Sequence, residues 1–596
     1  MTASPVAIAP QAPATGSWAF DDDAVRFAIG VLDDMDIMVS LRQWRVEERE
    51  RLGRHAGGAP ERFPAHALMV AMILAAVHHH PMHLRTFRDI LFRHISPAMR
   101  AQLGVPDPPD PDDRLGWEAL ERCVRTRFHG LLDVIDPSPL PKNRILDAGA
   151  FDAAVAQHRT DHDLTDDILE QRTERLTWIA NSILEASVSH LPRELRRHWQ
   201  GSIVVDATNV PAFARQDARE KGKKPRDQRK VLRHSSDPDA GLYVRTDVDP
   251  TASPTTRAAT KPTKMFWAYE ASLIVTAAEG TGTGTEYPNL VIGMAPLHRP
   301  ASEPGKNATV ALASVQGRGH PAKWLAGDRA YTHALADDFQ LPARAMGYEV
   351  VLDYRADQLG IQGSHAGALM IEGAWYSPGI PQTLIAATID YRSGLIDETT
   401  WKTRIEARRA YRLRVHEQLA DGQTKMMCPA AHVSPTARCE LKPASENPKT
   451  KGKTRIHVTD ALRANKPRIC EQQTVNFPPE AGAKLWQPLH FGSPEWADTY
   501  YRLRNTIEGI NGTAKDGSHS ALDDPERRRV RGVAAQTLFT ALLLLATNLQ
   551  KISSFVAHAV VDTDGVTRRP RKSRGTTKAI QTWTPVIVGR AGAPPP

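Results

Sequence analysis

Only four cysteines occur among 596 residues. That is too few to staple a chain of this size, so a disulfide scaffold is excluded and a reducing compartment, the cytoplasm, is expected. Long apolar runs are scarce as well. The longest, Val533 to Leu549, is interrupted by Gln536, Thr537, Thr540, Thr547 and Asn548. It is short for a bilayer span and reads as a buried helix, with no membrane partner expected. Residues 1–17 are rich in Ala and Pro and carry no export-signal pattern. Neither a P-loop nor a dinucleotide fingerprint is present, so no nucleotide cofactor is expected. No CxxC pair occurs either. Cys428, His432 and Cys439 lie within twelve residues and Cys470 follows, a spacing that leaves both a zinc site and buried structural thiols open.

Against these absences stands a modest basic excess. Lys and Arg total 76 against 68 Asp and Glu, for a net charge of +8. The excess matters for where it falls, because basic residues crowd into 215–233, 527–531 and 568–574. Such clusters suit a polyanionic partner, and solvated loops or a disordered tail would look the same.

The length fits roughly three or four domains. Residues 1–20 read as disordered and 21–199 as a helical region. Within it, 66–80, 84–95 and 97–104 are short helices that fit either a helix-turn-helix DNA reader or a plain bundle. At 202 the period changes. SIVVDATNV (202–210), KMFWAYEASLIVTA (264–277) and NLVIGMAPL (289–297) read as strands. ATVALASVQ (308–316), KWLAGD (323–328), THALADDFQLPARAMG (332–347) and YEVVLDY (348–354) then read as helix, strand, helix and strand. This pattern predicts an α/β fold with a mixed sheet over 200–358. The basic stretch between the first two strands is too long for an ordinary connection. Residues 359–495, with runs such as GALMIEG and TLIAATIDYR, read as a β-rich insertion. Helix returns over 496–556, and 557–596 is a basic, disordered-looking tail.

Two features carry chemistry. Asp206 sits inside an apolar strand, where an ionised carboxylate is expensive unless paired or metal-bound. Asp328, in AGDRAY, ends a strand just before a helix, where open α/β sheets place their ligands; a helix cap is its bland alternative. The second feature is YRLRNTIEGINGTAK, 501–515. At about 100° per residue, Tyr501, Arg504, Glu508 and Lys515 fall within roughly 60° of one another on a helix. Leu503, Ile507, Ile510 and Ala514 form a separate apolar arc. Taken together, Asp206, Asp328 and Glu508 offer three hard oxygen ligands, which suit Mg²⁺ or Mn²⁺ rather than zinc.

These residues resemble the DDE transposases of bacterial insertion sequences, in the subgroup with a Tyr-x2-Arg-x3-Glu-x6-Lys signature. Tyr501, Arg504, Glu508 and Lys515 match in type and spacing; VVDAT resembles the first-aspartate block and GDRAY the second. The resemblance covers roughly 200–555. It implies an RNase H-like core interrupted by the insertion, since 179 residues separate Asp328 from Glu508. By this resemblance Asp206, Asp328 and Glu508 are the catalytic, metal-binding triad, and Tyr501, Arg504 and Lys515 contact DNA. The implied partners are double-stranded DNA (transposon ends and target) and a second copy of the chain in a homodimer. The implied activity is strand cleavage and strand transfer. An RNase H-like nuclease without strand transfer, or an inactive DNA-binding protein, are the alternatives. The basic stretch before the second strand departs from a minimal core of this kind, and nothing selects among Trp375, Trp401, Trp486 and Trp496 as a base-holding aromatic.

Overall fold

In the computed structural model, residues 19–54, 61–222, 226–245, 263–279, 287–431 and 433–557 are described, with 560–561, 567–568 and 595. The remaining residues, and the side chains of Asp227, Glu508, Val560, Val561, Thr567 and Arg568, lie outside this description. So does most of the expected disordered tail, together with residues 1–18, His432 and parts of the 215–264 stretch. Phe20, within the stretch expected to be disordered, is buried, and its amide donates to the His94 carbonyl at 2.7 Å.

The amino-terminal region is helical, as its apolar spacing requires. Its main helices are α1 (Asp22–Met35), α2 (Ile37–Arg51), α3 (Ala65–Val77), α4 (Arg114–Leu132) and α5 (Asp166–Ser189). Every residue of α3 from Ala67 to Val77 is buried. A helix apolar on all sides belongs at the centre of a bundle, and α3 packs against α1, α4 and the late helix α8 (Val533–Ala557). The 84–95 segment is not one α-helix: Leu84–Asp89 is α-helical and Ile90–His94 is a π-turn. Helix α3 itself has no free face to present to a partner.

The sheet follows from the β-branched runs. Strands β1 (Ile203–Pro211), β2 (Gly241–Arg245), β3 (Lys264–Thr276), β4 (Val291–Met294), β5 (Trp324–Ala326) and β6 (Glu349–Val351) form one six-stranded mixed sheet. Its order is β2–β3–β1–β5–β6, and β4 pairs with β3 beyond β2. β1 runs antiparallel to β3, while β1, β5 and β6 are mutually parallel. The strand β2 was not expected. It lies in the basic stretch and pairs with the first half of β3, Gly241 opposite Ala268 through Arg245 opposite Lys264.

An open sheet edge needs cover, and two helices supply it at β4. Asn181 of α5 accepts from the Met294 amide at 2.9 Å and donates to its carbonyl at 2.8 Å. Asn548 of α8 does the same for Val291, at 2.9 and 2.7 Å. Asn548, a polar residue inside the apolar 533–549 run, is thereby explained as an edge-strand partner, and Thr537 accepts from the Leu297 amide at 3.0 Å just past β4. Helix α8 is the one described helix long and apolar enough to cross a membrane, and it is buried within this core. Helix α6 (Pro304–Gly317) packs over β3 and β4. A Cβ on Gly293 would stand 2.6 Å from a Val315 methyl, so only glycine permits that approach.

Between β6 and the last two helices the insertion forms its own apolar core. It holds two three-stranded antiparallel sheets, 361–376 and 414–427 with 475–477, as its strand-like runs suggest. It is less purely β than expected. TLIAATIDYR forms two short helices, Gln382–Ile385 and Ala387–Arg392, and Glu398–Arg408 is a third. At its centre Arg408 pairs with Glu372, both almost fully buried. The expected 332–347 helix is also broken, into a 3₁₀ turn at Ala336–Asp338 and a helix at Gln340–Ala345. Helix α7 (Pro494–Lys515) then crosses β1, β5 and β6.

Candidate functional site

Strand register brings the two aspartates together. β1 and β5 pair in parallel with Ile203 opposite Leu325 and Val204 opposite Ala326. Two residues further on, the same register sets Asp206 beside Asp328, and parallel strands at equal register point those side chains to one face. Gly327 makes this possible. A Cβ there would lie 2.9 Å from the Tyr331 ring and 3.1 Å from Val205. Asp328 does cap locally, but it caps a turn rather than a helix: its Oδ1 accepts from the Ala330 amide at 2.8 Å.

Helix α7 meets this pair. Ser493 caps its start, accepting from the Trp496 amide at 3.2 Å, with Pro494 in the first turn. The helix therefore begins earlier than the 501–515 signature. Leu503, Ile507, Ile510 and Ala514 are buried, the apolar arc expected from the spacing. On the other arc Arg504 Nη1 lies 3.7 Å from Asp206 Oδ1, and Asn511 Nδ2 donates to Asp206 Oδ2 at 3.1 Å. Residue 508 is one turn after Arg504 and one turn before Asn511, so its backbone position falls between two residues that both reach Asp206. The other signature residues sit further out. Tyr501 is 56% exposed, edge-on to Trp496 and Tyr500. Lys515, in the last turn, is 3.4 Å from Asp523.

The electrostatics are those of carboxylates short of positive charge. Burial pushes the Asp206 carboxyl up to about 6; Arg504 opposes this, and the neighbouring Asp328 adds to it. Arg504 Nη1 itself has no hydrogen-bond partner. By contrast Asp353, which the β5–β6 register sets on the far side of Asp328, is neutralised by Arg329 at 2.6 Å and by Arg392 at 3.5 Å.

Two further residues belong here that the sequence reading did not single out. Glu270 on β3 is 8% exposed, and its carboxyl is raised by burial, with Asp206 and Asp328 adding like charge. Its contacts are the Ala301 amide at 3.3 Å and His298 at 4.0 Å. Burial lowers the His298 imidazole, which therefore brings no firm positive charge. Tyr331 is fully buried, and its hydroxyl has no hydrogen-bond partner. The charged groups that act on it are Asp206, Asp328, Glu270 and Arg504. An orphaned buried hydroxyl is costly, and one facing a carboxylate cluster fits a site built to receive another group.

Among the described residues no three His, Cys, Asp or Glu side chains are gathered as a ready metal centre. Asp206 and Asp328 supply two hard oxygen donors. Their donor chemistry, and negative charge that Arg504 only partly offsets, fit a divalent cation such as Mg²⁺ or Mn²⁺. Cys428, Cys439 and Cys470 are buried free thiols, raised by burial, Cys470 to about 12. Of the four tryptophans, Trp375 and Trp496 are core residues. Trp401 stacks on Tyr391, and Trp486 lies under Arg344.

No family model, curated protein or solved structure matches the chain.

Proposed function

We propose that this chain is a metal-dependent phosphoryl-transfer enzyme acting on DNA, with an RNase H-like core. The observation that carries the reading is the juxtaposition at the middle of the sheet. In chain order, leaving out β2, the strands lie third, second, first, fourth, fifth, with the first three antiparallel. The first and fourth strands present Asp206 and Asp328 side by side, under a helix whose Arg504 and Asn511 reach Asp206. More narrowly, we propose a DDE transposase of the Tyr-x2-Arg-x3-Glu-x6-Lys subgroup, working as a homodimer on the paired ends of its element.

Asp206, Asp328 and Glu508 would hold Mg²⁺ or Mn²⁺. When bound, such ions lower the pKa of a water or 3′-hydroxyl and offset charge on the leaving oxygen of an in-line displacement. Arg504 balances charge beside Asp206 and has an unused donor to offer a phosphate oxygen. Asn511 fixes the Asp206 carboxylate. Exposed Tyr501 is free to stack on or position a terminal nucleotide, and Lys515 adds positive charge at the helix end.

The competing reading is a nuclease of the same core that does not join strands. Supplying the protein with pre-cleaved duplex ends, a plasmid target and Mg²⁺ separates the two. Joined products are expected; hydrolysis without joining would favour the nuclease.

A further inference from the structure

One cavity of the described chain is lined by none of the residues of the carboxylate site. It has a volume of about 970 Å³ and opens between α2, α4, the 136–144 loop, the 148–161 helix and the 529–531 segment. Nine Lys or Arg side chains line it against four Asp or Glu, so one cleft holds much of the basic excess of a chain whose net charge is only +8. Part of that charge is balanced locally, as where Arg172 pairs with Glu48 at 2.7 Å. Four arginines have no carboxylate partner among the described residues. Arg49 donates to the Arg45 carbonyl at 3.2 Å and Arg531 to the Asn143 side chain at 2.8 Å, while Arg54 and Arg144 are exposed. Holding unpaired like charges around one cleft is unfavourable unless a polyanion fills it.

Its position relative to the carboxylates is set by β1. Arg531 stands over the ring of Phe213, 5.8 Å from its centre. Phe213 is seven residues past Asp206 on the same chain direction, at most roughly 23 Å away at ~3.3 Å per residue. At 3.4 Å per base pair that upper limit corresponds to about seven base pairs of duplex, within reach of one bound duplex. A small phosphate compound would need two or three of these cations. Unpaired arginines spread over α2, the loop after it, the 136–144 loop and the 529–531 segment suit a continuous backbone instead.

We infer that this cleft binds the phosphate backbone of duplex DNA, as a second contact apart from the carboxylate pair. The inference rests on the DNA-acting reading above and adds the surface that holds the duplex. The test is fluorescence anisotropy of a 40-base-pair duplex in EDTA across a KCl series. It compares the wild type with Arg49→Ala/Arg54→Ala/Arg144→Ala and with a control, Arg26→Ala/Arg114→Ala/Lys306→Ala. All six sites are on the surface, and circular dichroism checks that both variants fold.

For the cleft variant, the slope of log affinity against log salt should shallow by up to ~2.7, about 0.9 per lost phosphate contact. Affinity near 0.1 M salt should fall at least about tenfold, and the control should match the wild type. If the wild type binds duplex and the cleft variant behaves like the control, the cleft assignment is wrong while the DNA-acting reading stands. If the wild type binds no duplex at all, both fail. A loss confined to single-stranded RNA of the same length would overturn the duplex assignment.

Discussion

Replacing Asp206 with asparagine should make the metal-free protein more stable at neutral pH, although the proposed function puts the residue at the heart of the reaction. Burial raises its carboxyl from 3.8 to about 6 even with Arg504 nearby. A carboxyl with a folded pKa above its unfolded one contributes fully below the unfolded value. That contribution is lost as pH rises through the folded value, here between about pH 4 and 6. Two units correspond to ~3 kcal/mol at 1.36 kcal/mol each. Asparagine keeps an acceptor for the Asn511 amide and forfeits the 3.7 Å pairing with Arg504. The expected net gain is therefore about 1–3 kcal/mol at pH 7.5, shrinking to nearly nothing at pH 4. Urea denaturation followed by tryptophan fluorescence in EDTA, at both pH values, measures it. Adding Mg²⁺ or Mn²⁺ at about 1,000 times its Kd should reverse the order, because it stabilises the wild type by ~4.1 kcal/mol and the variant far less. An Asp206→Asn protein less stable than wild type at pH 7.5 without metal, or equally stabilised by metal, would refute the reasoning.

Two other perturbations test the packing that supports the site. Asp237 is pushed up to about 7 by burial; its Oδ1 accepts from Tyr269 at 2.5 Å and from the Gly532 amide at 3.0 Å, while its Oδ2 has no partner. Wild-type stability should thus decline between about pH 4 and 7 on this account, and Asp237→Asn should flatten the decline and be a few kcal/mol more stable at pH 8, read by denaturation at several pH values. In the insertion, Arg408→Met would strand the Glu372 charge, whose other partners are the Thr388 hydroxyl at 2.8 Å and the Gly360 amide at 3.4 Å. A cost of about 3–5 kcal/mol is expected, visible as faster proteolysis of residues 359–495, and Arg408→Met/Glu372→Gln should recover much of it.

What could be read from the sequence was set by local pattern. The apolar run around Asp206 fixes a buried strand, and the three-and-four spacing of Leu503, Ile507 and Ile510 fixes which arc of α7 is packed. Other parts depend on contacts far apart in the chain. β2 becomes a strand only because β3 offers it an edge, with residues 246–262 between them. TLIAATIDYR mixes β-branched and alanine residues, and its helical outcome is decided by packing in the insertion core, not by its own period. The 332–347 segment carries Pro342, and its pattern concealed a break between Asp338 and Gln340. Glu270 had a readable signal, an acid inside an apolar strand, the same one that marked Asp206. Tyr331 had none, since a tyrosine after GDRA gives no hint that its hydroxyl will be left without a partner.

The most direct test of the central claim is nicking of a supercoiled plasmid that carries the sequences flanking this reading frame. Wild type, Asp206→Asn, Asp328→Asn and Glu508→Gln would be compared, with binding to the same DNA measured alongside. The account predicts Mg²⁺-dependent cleavage by the wild type only, with binding retained in all three variants. Cleavage that survives Glu508→Gln or Asp328→Asn, or clear wild-type binding with no cleavage in Mg²⁺ or Mn²⁺, would contradict it.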